Sequence, residues 1–173
     1  MNVRSNTFEI RCEGRQLSEV ATALLQSILF YRTYGKVRCA SPTLVESVNR
    51  DVRDFVDKLR ESEEQCGTLH LEFYCKRKGR VWPINETPLI WEIWILKFDC
   101  GNQDKQKERI EDVLFEKLLT IIQIINSSKC YLPQMPNRDH LDTVFDTSHA
   151  DAQPYIYKVL LYSYFSLKNN NFT

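Results

Sequence analysis

The segment that most restricts the fold is Ile90-Trp91-Glu92-Ile93-Trp94-Ile95-Leu96-Lys97-Phe98. It is rich in β-branched and aromatic residues, and both of its alternating faces are largely apolar. Such a run reads as a strand covered on both sides. Trp91 and Trp94, three apart, are expected on opposite faces, each in a core. Upstream, Thr68–Cys75 alternates strictly, with Leu69, Leu71 and Phe73 on one side and His70, Glu72 and Tyr74 on the other, the mark of a half-buried strand. Between them, Lys76–Pro88 holds Gly79, Pro83, Asn85 and Pro88, so it reads as a loop. The two strands form a long hairpin with an enlarged tip.

Around this hairpin the period changes repeatedly. Phe8–Cys12 alternates and is broken by Gly14. Leu17, Val20, Ala21, Leu24, Leu25 and Ile28 then fall at helical spacing, with Gly35 as a stop. Ser41-Pro42 opens a second helix, with proline in the first turn where a missing donor costs nothing. Its apolar stripe (Val45, Val48, Val52, Phe55, Val56, Leu59) opposes a charged face and frays by Gly67. A third helix is predicted from about Gln103 to Ile125, with a stripe through Ile110, Val113, Leu114, Leu118, Ile121, Ile122 and Ile125 that Phe115 and Leu119 widen. The segment Leu141–Ala152 is irregular, and Pro154–Tyr162 is a last, aromatic strand. The order β, α, α, β, β, α, β predicts an α+β fold, mostly antiparallel, with three helices on one face of the sheet. Residues 1–173 read as a single domain, with no repeat and no linker.

The bulk numbers exclude several classes. Lys and Arg number 23, as do Asp and Glu, so the formal net charge is zero, without the basic excess of a phosphate-backbone binder. The amino terminus has no apolar run of a secretory signal, and no segment approaches the roughly 18 apolar residues of a membrane span. The six cysteines (Cys12, Cys39, Cys66, Cys75, Cys100, Cys130) are scattered without a C-x-x-C pair, several inside apolar segments. They read as buried, reduced thiols of a cytoplasmic protein.

No constellation for catalysis emerges. His140 and His149 lie nine apart among Asp139, Asp142, Asp146 and Asp151, a spacing of a solvated acidic loop rather than of metal ligands. With 5 glycines in the chain, no phosphate-cradling loop is available. The expectation is a protein that is not an enzyme and that takes no cofactor and no metal. Nucleic acid enters as an alternative through the basic tip Lys76-Arg77-Lys78-Gly79-Arg80, followed by Trp82. Protein interaction is the stronger reading. Trp82-Pro83-Ile84 sets a large ring beside a rigid proline in a loop, which suits an interface anchor. Tyr31 and Arg32, where an aromatic and a cation break the apolar pattern at the end of the first helix, are further candidate contacts.

Several short motifs occur in a specific order: Glu13-Gly14-Arg15-Gln16, Arg32-Thr33-Tyr34-Gly35-Lys36, Leu71-Glu72-Phe73-Tyr74, Trp82-Pro83, Trp91-Glu92-Ile93-Trp94, Tyr131-Leu132-Pro133-Gln134-Met135-Pro136, Val144-Phe145-Asp146-Thr147 and Gln153–Lys158. Together they resemble the autophagy-related protein 101 family, from residue 1 to about 158. The resemblance implies a HORMA domain in the open form, similar to the spindle-checkpoint HORMA proteins. It further implies a subunit of the autophagy-initiation kinase complex that pairs with and stabilises the HORMA domain of autophagy-related protein 13, and that is recruited to autophagosome formation sites. The family's WF finger, a Trp-Pro-Phe loop that recruits later factors, maps onto Trp82 and Pro83. Ile84 stands where the family has Phe, which halves the aromatic area. The connection Gly35–Ser41 is short where the family often carries an insertion. The chain after Tyr162 is too short for a C-terminal safety belt around a peptide, so a docked folded partner is expected.

Overall fold

The computed structural model describes residues 3–34, 41–62, 65–78, 86–101, 109–127, 131–149 and 151–163. The chain forms β1 (Arg4–Arg11), α1 (Leu17–Tyr31), β2 (Thr33–Tyr34), α2 (Pro42–Arg60), β3 (Cys66–Lys78), β4 (Glu86–Asp99), α3 (Ile110–Ile125), β5 (Gln153–Pro154) and β6 (Tyr157–Ser163), with a 3-10 helix at Arg138–Thr143 before β5. It is an α+β fold of HORMA-like design. The main sheet runs β1-β4-β3-β6. β3 pairs antiparallel with both β4 and β6, whereas β1 runs parallel to β4. That parallel edge is possible because α1 and α2 intervene between β1 and the hairpin, supplying the long crossover such a pair requires.

One face of the sheet supplies the core. Phe8 and Ile10 of β1, Leu69, Leu71 and Phe73 of β3, and Trp94, Leu96 and Phe98 of β4 are all buried beneath the helices. The other face is only partly covered: Ile93 and Ile95 are half-buried and Lys97 is exposed. The β4 run is therefore closed by helices on one side, not two. Its outer side is ordered by cross-strand pairs, Lys158 Nζ to Glu72 Oε2 at 2.9 Å and Lys97 Nζ to Glu9 Oε1 at 3.3 Å.

A bulge explains why both tryptophans are core. Phe73 pairs with Glu92, but Tyr74 pairs with Ile90, so Trp91 is the extra residue. An extra residue resets the alternation and turns two neighbours toward one side. Trp91 packs 5.5 Å from Phe73 and Trp94 5.9 Å from Phe8, centroid to centroid. The opposite-face expectation held only for an unbroken ladder.

α2 starts as its sequence dictates. Ser41 Oγ accepts from the Leu44 amide at 3.3 Å, Pro42 occupies the first turn, and Lys58 and Arg60 sit in the last. Gly67 lies inside β3 rather than marking only a frayed helix. A Cβ there would meet Leu59 Cδ1 at 2.6 Å and Phe55 Cε2 at 3.0 Å, so glycine lets α2 press onto the strand. α3 begins at Ile110, because Arg109 is extended. The predicted earlier start, Gln103 to Lys107, lies outside the described residues. The predicted final strand is two. Gln153-Pro154 pairs with Thr33-Tyr34 in a small antiparallel sheet, Tyr155 bridges Phe145, and β6 then joins β3.

Candidate interaction surface

The end of α1 is fixed by one buried ion pair. Arg32 donates from Nε to Glu92 Oε2 at 2.7 Å and from Nη2 to Glu92 Oε1 at 2.9 Å. Both side chains are almost wholly buried, 2% and 1% exposed, and the guanidinium lies 5.8 Å from the Trp91 ring centroid. The two-pronged geometry matches a planar fork to a carboxylate. The Arg32 carbonyl accepts from the Tyr155 amide at 2.8 Å, which ties β2 and β5 to the same point. Around it Tyr34, Phe145, Tyr155 and Trp91 follow one another at centroid spacings of 4.7–5.3 Å. This is an aromatic clasp at one end of the molecule, with the ion pair as its pin. The clue in the sequence was Glu92: a lone carboxylate in an apolar strand needs a cation beside it.

The expected contact residues thus separate. Arg32 turns inward and serves this chain's own interior. Tyr31 is 39% exposed and meets the equally exposed Phe30 edge-on at 5.3 Å. Trp82, Pro83 and Ile84 lie outside the described residues. The hairpin that carries them is paired out to Lys78–Glu86. In the basic run, Lys76, Arg77 and Lys78 end β3, and Gly79 and Arg80 lie outside the described residues.

Sequence reasoning took Phe115 and Leu119 only as a widening of the α3 stripe. They are instead 64% and 43% exposed. Set four apart, they occupy one side of the helix, with half-buried Ile122 next along it. Of α3's residues only Ile121 is fully buried, although the helix packs on α1. The helix presents an uncovered apolar ridge.

A polar cleft of about 420 Å³ lies between α2, β6 and residues 146–149. Its groups mostly hold one another. His149 Nδ1 is 2.9 Å from Thr43 Oγ1 and its Nε2 is 3.6 Å from Asp146 Oδ2, while Ser41 Oγ donates to Asp151 Oδ1 at 2.6 Å. Burial pushes the Asp51 carboxyl up, against the lowering pull of Arg50. Burial likewise pushes the Tyr157 phenol up. These bonds pin His149 and Asp151 to the start of α2. His140 is exposed, and among the described residues no three His, Cys, Asp or Glu side chains converge as a metal site. Among the same residues no helix is long and apolar enough to cross a membrane.

The sequence of the family described as Autophagy-related protein 101 matches residues 36–139, more than half of the chain. The Autophagy-related protein 101 of Xenopus tropicalis is 34% identical, over 92% of this chain and 88% of that protein. The Homo sapiens protein of the same name is 33% identical over the same shares. The chain belongs to the autophagy-related protein 101 family. For this family member the ordered motifs are now structural. Leu71-Glu72-Phe73-Tyr74 and Trp91-Glu92-Ile93-Trp94 lie in adjacent strands and form the bulge, and Arg32-Thr33-Tyr34 and Gln153–Lys158 meet in the aromatic clasp. These four motifs build part of the framework of this chain.

Proposed function

We propose that this chain is a non-catalytic interaction domain acting in autophagy, a subunit of the autophagy-initiation kinase complex that pairs with the HORMA domain of autophagy-related protein 13 and stabilises it. It works in the cytoplasm, as one folded unit, at autophagosome formation sites. Family membership supports this reading, and the observation that carries it is the ridge of Phe115 and Leu119, 64% and 43% exposed one turn apart. Adjacent large apolar side chains left in water on a helix that its own chain barely covers suit a folded partner. Full burial of such a side chain from full exposure contributes roughly 1.5–3 kcal/mol, and covering what is still exposed here contributes part of that.

The test is co-expression with the partner HORMA domain. The two chains are expected to elute together in equal amounts at micromolar concentration. A monomeric profile for both would overturn the reading. The Trp82 loop is assigned the recruitment of later factors. Trp82→Ala is expected to keep cooperative melting and the heterodimer while losing the recruited proteins. Loss of cooperative melting would instead make Trp82 part of the core.

A further inference from the structure

We propose that Cys12 and Cys100 form a redox modification site that closes to a reversible disulfide when a hydroperoxide oxidises the pair. The two sulfurs already face each other at 3.9 Å. β1 runs parallel to β4 with Arg11 opposite Asp99, and the Cys12 amide donates to the Asp99 carbonyl at 3.3 Å. Cys12 and Cys100 each follow directly on that last pair. Neighbouring strands lie about 4.8 Å apart, inside the range of roughly 4.4–6.8 Å that a disulfide spans between Cα atoms. Closing the bond therefore moves side chains and leaves the sheet in place.

The two sulfurs differ little in their access. Cys100 is 7% exposed and Cys12 half-buried. Either sulfur can be the donor of the contact between them, and that contact together with burial pushes the Cys12 thiol up. The sulfur that ionises is the nucleophile toward a small neutral oxidant, and the other is the resolving thiol. The thiolate attacks one peroxide oxygen. The O–O bond breaks, the other oxygen leaves as hydroxide and takes a proton to become water, and the attacking cysteine becomes a sulfenic acid. The second sulfur of the pair then attacks that sulfur, the S–O bond breaks, and the oxygen leaves as a second water with the second thiol's proton. Two thiols are oxidised, and one hydrogen peroxide is reduced to two waters. The product fastens the end of the edge strand β1, and with it the turn into α1, to the end of β4.

Cys66 is the competing thiol, opposite Asp99 in β3 and 3.5 Å from its Oδ1. The test treats the full chain with hydrogen peroxide, alkylates the remaining thiols and maps peptides without reduction. The expected product joins the Cys12 and Cys100 peptides with the loss of two hydrogens, is undone by dithiothreitol, and persists in Cys66→Ser. In Cys12→Ser and in Cys100→Ser the remaining cysteine of the pair has no partner, and a sulfenic acid that dimedone traps is expected in at least one of the two variants. Full alkylation of both cysteines after peroxide, a Cys66–Cys100 product, or absence of the dimedone adduct in both variants would each overturn the proposal.

Discussion

α1 and α3 are 15 and 16 residues long and both rich in aliphatic side chains, yet α1 buries seven residues and α3 one. The difference lies in what surrounds each helix. α1 packs against α2 on one side and α3 on the other, with the sheet beneath, so Leu24, Leu25 and Ile28 are sealed completely. Among the described residues α3 has its main helical contact with α1, and Phe115 and Leu119 on its second apolar side are exposed. An apolar stripe specifies a helix and a face to be covered; it does not say which chain will cover it. That distinction separates the framework of this protein from its proposed contact surface.

The largest expected effect comes from the end of α1. Arg32→Ala leaves Glu92 as an uncompensated charge in the interior, and should cost about 3–5 kcal/mol, read as a lower urea midpoint. Arg32→Lys should recover only part of this, since an ammonium cannot reproduce the two-pronged contact. Removing both charges, as in Arg32→Met with Glu92→Leu, should restore most of the stability. If Arg32→Ala melts like the parent, the pair is not the pin of the aromatic clasp.

Next come matched truncations on the two helices. Leu24→Ala in α1 opens a cavity in packed surroundings and should cost about 2–5 kcal/mol. Phe115→Ala in α3 removes a larger side chain, yet should change the isolated chain by no more than about 0.5 kcal/mol, as at an ordinary surface position. Binding should reverse the ranking. Affinity for the partner HORMA domain should fall about 30-fold in Phe115→Ala, the scale of a buried aromatic anchor. Leu24→Ala, measured below its melting range, should bind normally. Equal destabilisation by both truncations would mean that α3 is as covered as α1.

The same contrast explains what was legible in the sequence. Strand and helix periods, the Ser41-Pro42 start of α2 and the hairpin could be read directly, because each is set by neighbours a few residues away. The parallel placement of β1, the β2–β5 pair and the inward turn of Arg32 could not, because each depends on residues sixty or more positions apart, and the bulge at Trp91 could not because it is set by the register of β4 against β3. The exposed ridge was misjudged for a related reason. Phe115 and Leu119 have the composition of core residues, and only the position of α1 shows them left over. Glu92 was the one clue available beforehand, since a carboxylate among tryptophans and isoleucines implies a hidden cation.

The smallest expected effect tests whether half-burial on the outer sheet face differs from exposure on α3. His70 lies 4.6 Å from the Tyr162 ring, centroid to centroid, and burial holds its imidazole below the ordinary value of 6.5, against the raising influence of Glu72. The unfolded chain therefore takes up its proton first as the pH falls, and His70 contributes a loss of stability that begins near pH 6.5 and deepens until the folded state protonates as well. His70→Phe keeps a ring against Tyr162 and removes the titration. Its melting temperature should fall less than the parent's between about pH 7 and pH 5.5. The folded-state titration of His70, followed by NMR, should be unchanged when the partner HORMA domain is added, because its cover comes from its own chain. A shift on complex formation would move the contact surface from α3 to the open face of the sheet.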